Sequence, residues 1–209
     1  MYELIIFDLD GTIADSSKGI FNSIRYVQKK LNLECISEED MKYHLGPPMN
    51  EAYKRNFNLN PEELDLAIMY HKEYSFVYGI SESRIYEGMH ELLVTLNRHG
   101  IKTAVATMKP DEMAKALLNH HNLSVDSVHG HSNDLTKKDL IKKCISDFSI
   151  MLEKTVMIGD TKSDMESAHA LGIDFIGVSY GYGFNPGDEN CVDSPFELIK
   201  LLIKKEPSV

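Results

Sequence analysis

The stretch Leu4-Ile5-Ile6-Phe7-Asp8-Leu9-Asp10-Gly11-Thr12 leads from a short apolar run directly into two carboxylates and a glycine. The run is uncharged and β-rich, which predicts a buried strand of a parallel sheet. Two acids so close together repel each other, and one of them would take up a proton unless a cation shares their site. Because open α/β sheets bind ligands at the carboxyl ends of their strands, the stretch predicts a functional site. A solvated turn is the alternative, since Asp and Gly are common in turns.

Amino-acid composition limits which classes of protein and which binding partners are compatible with the chain. The 209 residues carry a formal net charge of -10, which argues against nucleic acid or an anionic membrane as a general partner. The cysteines Cys35, Cys144 and Cys191 show neither a CxxC pair nor metal-ligand spacing, and they fit a reducing compartment. With no basic region before the first apolar run and no stretch long enough to cross a bilayer, we expect a cytoplasmic protein.

Strand and helix patterns alternate along most of the chain. After the first strand, the pattern predicts strands at 101–107, 125–129, 155–158 and 174–178, with an amphipathic helix before each new strand. This alternation predicts an α/β fold with a doubly wound, mostly parallel, Rossmann-like sheet and right-handed crossovers. Neither a dinucleotide-binding G-x-G-x-x-G after the first strand nor a P-loop is present, so the sequence supports neither class of nucleotide site.

A purely helical segment interrupts the alternation between residues 15 and 82. One of its helices begins at Asn60-Pro61-Glu62-Glu63, with Asn as the N-cap, Pro in the first turn and Glu at the third position. The sequence therefore predicts an α/β core domain from residues 1–14 and 83–209, and a small inserted α-helical domain at residues 15–82.

Polar side chains follow four of the predicted strands. They are Asp8 and Asp10, Thr107, Lys137 and Lys138, and Asp160 and Asp164. In a doubly wound sheet these positions meet at one edge. Four carboxylates in one cleft need a hard divalent cation, and oxygen ligands favour Mg²⁺ over zinc. Because Thr and Lys suit phosphate oxygens, the set predicts phosphoryl transfer with an Asp nucleophile.

The pair of motifs Asp8-Leu9-Asp10-Gly11-Thr12 and Gly159-Asp160-x-x-x-Asp164 resembles the haloacid dehalogenase-like superfamily, in its phosphatase branch, over essentially the whole chain. Further motifs resemble its phosphoglycolate phosphatase group, namely Pro47-Pro48-Met49 after Leu45-Gly46, Tyr86-Glu87-Gly88-Met89 and Ala106-Thr107-Met108-Lys109-Pro110. The resemblance implies that the segment at residues 15–82 is a cap domain that selects the substrate, with Gly46 to Asn50 at its discriminating edge.

The resemblance also implies a role for each catalytic residue. Asp8 would attack phosphorus and become an aspartyl phosphate. Asp10 would protonate the leaving oxygen and then take a proton from water. Thr107 would hydrogen-bond the phosphoryl group. Lys137 would offset the charge on Asp8 and on the phosphoryl group, with Lys138 as the alternative.

The implied metal site is formed by the Asp8 side chain, the backbone carbonyl of Asp10, Asp160 and Asp164, the last acting directly or through a metal-bound water. The implied substrate-binding set is Thr107, Met108, Lys137 and Gly46. Met108 stands where the family often has a small or polar residue, but its backbone N–H remains available. Lys109 is either a contact for an anionic end of the substrate or a solvated lysine.

Together these observations predict a Mg²⁺-dependent phosphatase that hydrolyses a small phosphorylated metabolite, with 2-phosphoglycolate as one candidate, and that is a monomer or homodimer. Two alternatives remain open at this point. One is a phosphomutase of the β-phosphoglucomutase kind, which would keep water away from the aspartyl phosphate until a sugar phosphate returned. The other is a non-catalytic binding protein on the same scaffold.

Overall fold

A computed structural model describes residues 1–132 and 135–203. The chain divides into two compact units, one formed by Met1–Ala14 and Ile85–Val209 and the other by Asp15–Arg84. The last residues of the predicted core domain, 204–209, lie outside the described ranges.

In chain order the strands are β1 (Leu4–Phe7), β2 (Ala14–Asp15), β3 (Arg84–Ile85), β4 (Lys102–Pro110), β5 (Ser127–His131), β6 (Thr155–Gly159), β7 (Asp174–Val178) and β8 (Cys191–Val192). The α-helices are α1 (Ser17–Leu31), α2 (Glu38–Lys42), α3 (Met49–Asn56), α4 (Pro61–Tyr74), α5 (Ile80–Glu82), α6 (Met89–Arg98), α7 (Asp111–His120), α8 (Lys137–Phe148), α9 (Lys162–His169) and α10 (Pro195–Leu202). A π-helix at Ser75–Gly79 and a 3₁₀-helix at Leu152–Lys154 complete the helical elements of the described ranges.

The first unit is built on a sheet with six strands in its described part, in the order β5-β4-β1-β6-β7-β8. Each neighbouring pair of strands is parallel, which confirms the predicted α/β fold class. The central strand β1 is fully buried at every position, so the sheet is covered on both faces. One of those faces packs against α8 and α9 through a cluster that comprises Leu4, Ile6, Ala104, Ala106, Leu140, Ile141, Cys144, Met157, Ala168 and Ile173.

Three details of the sheet differ from the prediction. Strand β5 runs from Ser127 to His131, two residues later than the predicted range of 125–129. Strand β4 continues to Pro110, three residues beyond the predicted end, because its pairing with β5 shifts register between Thr107 and Pro110. This irregularity lies at the carboxyl end of the strand, where bulges often re-aim side chains. Strand β8 is only two residues long, and a strand of that length leaves no apolar pattern in the sequence.

The second unit is helical. Its core is a cluster formed by Val27, Tyr53, Phe57, Leu64 and Ala67. Helix α4 begins as predicted, because Asn60 and Glu63 form a reciprocal capping box. The π-helix was not predicted. It brings Gly79 so close to α1 that a Cβ atom added to Gly19 would lie 2.8 Å from the Gly79 carbonyl oxygen.

None of the helices in the described ranges is both long and apolar enough to cross a bilayer.

Candidate active site

Asp8 is the first residue after the central strand β1. Its backbone N–H donates to the carbonyl oxygen of Ile158 on the neighbouring strand β6 at 2.9 Å, which continues the sheet pairing to the strand end. The side chain is 10 % exposed, so the carboxylate is almost completely removed from water. It accepts a short hydrogen bond from the ammonium of Lys137.

Lys137 reaches this carboxylate from the first turn of α8. The helix start is fixed by a capping box in which Thr136 accepts from the backbone of Asp139 and the Asp139 side chain accepts from the backbone of Thr136. The buried Lys137 ammonium also lies 2.8 Å from Oδ1 of Asp164. Of the two lysines that the sequence left open, the structure therefore places Lys137 between the acids, while Lys138 is half-buried one position further along.

Asp164 is held by the start of α9. Its Oδ2 accepts from the backbone N–H of Thr161 at 3.1 Å and from the Thr161 hydroxyl at 2.6 Å, which closes a second capping box. The other oxygen, Oδ1, faces Lys137. The same carboxylate thus caps a helix and contributes to the cluster of acids, and the cap fixes its orientation.

Asp160 follows strand β6 and is completely buried. Its Oδ1 accepts from the Thr12 hydroxyl at 3.2 Å, and its Oδ2 accepts from the backbone N–H of Tyr182 at 2.7 Å. Gly11 makes this arrangement possible. It has φ +88°, and a Cβ at that position would lie 2.2 Å from the Asp160 carboxylate oxygen. Glycine at residue 11 is therefore needed both for the turn that follows Asp8 and for the position of the Asp160 carboxylate.

The carboxylates of Asp8, Asp160 and Asp164 form one cluster, with one oxygen from each residue within 4.8 Å of the others. Oxygens bound to a single Mg²⁺ lie about 3–4 Å apart, since metal–oxygen distances are about 2.1 Å. The cluster therefore has nearly the dimensions of one ion's coordination shell. Lys137 supplies one positive charge to three acids, so a divalent cation would balance the two remaining negative charges. An all-oxygen donor set of this kind fits a hard divalent cation.

The pKa values of the clustered groups reflect their burial and the same excess of negative charge. Burial raises the pKa of Asp8 to about 8, with Lys137 opposing the shift and the neighbouring acids adding to it. Burial also raises the pKa of Asp160 to about 6, against the hydrogen bond from Tyr182. Burial alone would lower the pKa of Lys137, but the carboxylates of Asp164 and Asp8 outweigh it and raise that pKa, so the lysine stays charged.

The Asp10 carboxylate lies outside this cluster and has a cation of its own. The Lys109 ammonium contacts both of its oxygens, at 3.0 and 2.9 Å. The two side chains are 11 % and 14 % exposed, so the pair is largely sheltered from water. Lys109, which the sequence left undecided between a substrate contact and a solvated lysine, is therefore paired and mostly buried.

The structure places the remaining predicted residues as follows. Thr107 is 1 % exposed, and its oxygen accepts from the backbone N–H of Lys109 at 3.1 Å, which leaves the hydroxyl proton available to a ligand. The Met108 side chain packs against the hydrophobic cluster beside α8. Gly46 lies in the helical unit, with φ +105° directly before two prolines.

Two residues that hold Asp160 were not singled out from the sequence. Thr12 belongs to the first motif, but nothing in that motif says which distant acid its hydroxyl contacts. Tyr182 acts through its backbone N–H, a group that every non-proline residue carries, so its type gives no signal. Tyr182 lies in the loop that follows β7.

Several known proteins are similar to this chain over most of its length. The family model described as haloacid dehalogenase-like hydrolase matches residues 5–178. The tyrosine-protein kinase PtkA of Mycobacterium tuberculosis is 33% identical over 187 residues, which cover 87% of this chain but only 63% of that protein. The phosphoglycolate phosphatase of Photobacterium profundum is 27% identical over 198 residues, covering 87% of this chain and 85% of that protein.

Among solved structures, a predicted phosphatase from Clostridium acetobutylicum superposes with a TM-score of 0.88 and 31% identity, covering 97% of this chain and 98% of that one. The residues matched by the family model include all three acids of the cluster: Asp8, directly after β1, and Asp160 and Asp164, after β6. The chain belongs to the haloacid dehalogenase-like hydrolase family, and within it resembles the phosphoglycolate phosphatases.

Proposed function

We propose that this protein is a phosphatase that hydrolyses small phosphomonoesters through a phosphorylated Asp8, with Mg²⁺ as its metal ion. The single observation that carries the proposal is the buried cluster of Asp8, Asp160 and Asp164 around the Lys137 ammonium. A carboxylate at the centre of a parallel sheet edge, beside a site for a divalent cation, suits attack on a phosphoryl group. The phosphatase names of relatives support the same activity.

In the first step a carboxylate oxygen of Asp8 bonds to phosphorus while the bond from phosphorus to the ester oxygen breaks. Asp10 gives its proton to the departing oxygen, so the product leaves as a neutral alcohol. Thr107 donates its hydroxyl to the transferring group, and Lys137 offsets its negative charge. Asp8, the Asp10 carbonyl, Asp160 and Asp164 would hold Mg²⁺, which would supply further charge stabilisation.

In the second step water attacks the same phosphorus and passes a proton to Asp10. The bond between phosphorus and the Asp8 oxygen breaks, which regenerates the carboxylate and releases inorganic phosphate. Asp10 thus acts as acid in the first step and as base in the second, and ends the cycle protonated as it began. We propose that the helical unit Asp15–Arg84 acts as a cap that selects the substrate and limits access of bulk water, with Gly46 at its selective edge.

A second candidate function is transfer of the phosphoryl group from Asp8 to an acceptor other than water. The observation that favours it is the relative named a tyrosine-protein kinase, although the chain spans only 63% of that protein. A phosphomutase would be another transferase of this kind. The two candidates share the first step and differ in the group that attacks the aspartyl phosphate.

The test is an assay of phosphate release from a panel of phosphorylated metabolites with Mg²⁺ and with EDTA. We expect release that requires the metal and that Asp8→Asn abolishes. Isomerised sugar phosphate or a phosphorylated tyrosine peptide, formed in place of inorganic phosphate, would instead favour transfer. Equal release by Asp8→Asn and wild-type protein would contradict both candidates.

A further inference from the structure

Tyr180 lies in the loop between β7 and β8, and none of the catalytic roles described above uses it. Its hydroxyl donates to the backbone carbonyl oxygen of Thr12 at 3.1 Å. Its ring packs against the ring of Tyr86, with the two centroids 4.6 Å apart, which fixes the direction of the hydroxyl. Tyr180 therefore joins this loop to the turn that follows Asp8, which lies far away in the chain.

Thr12 connects that contact to the acidic cluster. Its backbone carbonyl accepts from Tyr180, and its hydroxyl donates to Oδ1 of Asp160 at 3.2 Å. The other carboxylate oxygen, Oδ2, accepts from the backbone N–H of Tyr182 at 2.7 Å. Because Tyr182 belongs to the same loop as Tyr180, the three hydrogen bonds form a closed ring that begins and ends in this loop.

Gly181 shows how closely the loop packs against the site. A Cβ atom at this residue would lie 2.3 Å from the Asp160 Cβ and 2.3 Å from the Gly11 carbonyl oxygen. Its φ lies outside the left-handed region, so the close approach, and not the backbone conformation, requires glycine here. The loop has no room to move toward Asp160, and the Tyr180 hydroxyl holds it at a fixed distance from Thr12.

The Tyr180 hydroxyl remains a donor near neutral pH. Burial raises its pKa above the ordinary value, and the nearby Tyr86 and Asp160 add to the shift. The hydroxyl therefore keeps its proton and continues to donate to the Thr12 carbonyl.

The carboxylates of the acidic cluster repel one another, so a ligand that is not held in place turns away from the others. Hydrogen bonds from the surrounding residues orient such ligands and raise metal affinity. We propose that Tyr180 is a positioning residue for the metal ion and acts through Thr12, whose hydroxyl it aims at Asp160. The inference rests on the proposed function, because it requires Asp160 to be a ligand of the ion.

The test measures Mn²⁺ affinity by electron paramagnetic resonance, which requires no substrate and no turnover. Tyr180→Phe keeps the ring and its packing against Tyr86 but removes the hydroxyl. We expect it to lower Mn²⁺ affinity about three- to tenfold, the value of one hydrogen bond between uncharged groups. Tyr2→Phe is the matched control, since it removes a hydroxyl that donates to Asp174 at 2.7 Å, at the start of the same strand β7. It should leave the affinity unchanged.

Combining Tyr180→Phe with Thr12→Val separates positioning through Thr12 from a general loosening of the site. Thr12→Val removes the hydroxyl that Tyr180 aims at Asp160. If Tyr180 acts through that hydroxyl, adding Tyr180→Phe to Thr12→Val should cause no further loss of Mn²⁺ affinity. If the two residues acted independently, their losses would multiply.

Three results would overturn the inference: wild-type Mn²⁺ affinity in Tyr180→Phe, an equal loss in Tyr2→Phe, or losses that multiply in the double variant. Failure of the proposed function would be separately visible, because wild-type protein would then bind Mn²⁺ no more tightly than Asp160→Asn does. That result would remove the metal site and, with it, the role of Tyr180.

Discussion

The Lys137 ammonium lies 2.8 Å from the Asp164 carboxylate, although the two residues come from the first turns of different helices. Each helix start is fixed by a capping box, formed by Thr136 for α8 and by Thr161 for α9. Two local sequence signals thus set the geometry of a contact between distant parts of the chain. The same ammonium also contacts Asp8, so this one cation connects the strand end to the helix start.

The Lys137→Met variant tests the importance of that cation. Its removal leaves buried carboxylates without a partner, which typically costs about 3–5 kcal/mol. We expect the free energy of unfolding in EDTA at pH 8 to fall by about this amount, and kcat for phosphate release to fall by about 10²–10³-fold. Mg²⁺ should restore more stability to the variant than it adds to wild-type protein, because the ion would take over part of the missing charge.

Lys138→Met is the matched control, since it removes the neighbouring lysine of the same helix turn. It should leave both the stability in EDTA and kcat close to those of wild-type protein. If Lys138→Met were the more damaging of the two substitutions, the assignment of Lys137 as the site lysine would be wrong.

The raised pKa values predict how stability depends on pH. Asp8 and Asp160 bind protons more tightly in the folded protein, with pKa values of about 8 and about 6, than at their ordinary value of 3.8. At pH values between 3.8 and about 8, the folded state holds more protons than the unfolded state. The free energy of unfolding therefore decreases as pH rises through this range. In EDTA, stability contributed by protonated Asp8 should therefore be lost progressively from about pH 4 to about pH 8.

Urea unfolding in EDTA from pH 5 to pH 8 measures this effect as the difference between wild-type protein and Asp8→Asn. The asparagine cannot lose a proton, so the variant should gain stability relative to wild type as pH rises. A difference that is constant with pH, or that changes in the opposite direction, would contradict the burial-raised pKa of Asp8.

The Thr12→Val variant tests whether the hydrogen bonds around Asp160 support metal binding. Thr12 donates to Asp160 at 3.2 Å, and loss of such a supporting contact typically lowers metal affinity about 10–100-fold. Binding of Mn²⁺, followed by electron paramagnetic resonance, should weaken by this factor. Thr103→Val removes a similar contact, from Thr103 to Asp126 at 3.3 Å, and should leave Mn²⁺ affinity unchanged. Equal affinities in the two variants would show that Thr12 does not support the metal site.

The close approach of Gly19 and Gly79 gives a prediction for the helical unit. A Cβ added to Gly19 would lie 2.8 Å from a backbone oxygen, whereas one added to Gly79 would meet nothing nearer than 3.5 Å. Gly19→Ala should therefore destabilise the protein by about 1–3 kcal/mol. Gly79→Ala should stabilise it by about 0.4–1 kcal/mol, since its helical φ of -61° suits alanine. Thermal unfolding of both variants checks the opposite signs, and a destabilising Gly79→Ala would contradict the packing.

Sequence patterns sufficed for most of the sheet, because buried parallel strands are short apolar runs between helices. Strand β7 was predicted with the bounds Asp174–Val178 that the structure has. The pattern failed where tertiary contacts decide the local structure. The extension of β4 to Pro110 depends on its pairing with β5, and the π-helix at Ser75–Gly79 has no residue signature of its own.

In the candidate site, too, some features could be predicted from the sequence and others could not. The acids were identifiable because carboxylates follow strand ends, where an α/β sheet binds ligands. The choice between Lys137 and Lys138 was open, since adjacent helical residues point in different directions and only the exact helix start decides which faces inward. The pairing of Lys109 with Asp10 joins residues far apart in the chain, through an irregular strand end that the sequence pattern did not reveal.

The claim at the centre of this account is that Asp8 carries the phosphoryl group. The most direct measurement is an acid quench of the Asp10→Asn variant with Mg²⁺ and a ³²P-labelled ester, followed by peptide mass spectrometry. The ester is 4-nitrophenyl phosphate, whose phenolate leaves without needing a proton from Asp10, so the variant can still form the aspartyl phosphate but lacks the base that activates water. We predict that labelled phosphate accumulates on the peptide that contains Asp8, and that Asp8→Asn abolishes the label. Phosphate release by wild-type protein, without label on Asp8 and undiminished in Asp8→Asn, would contradict the account.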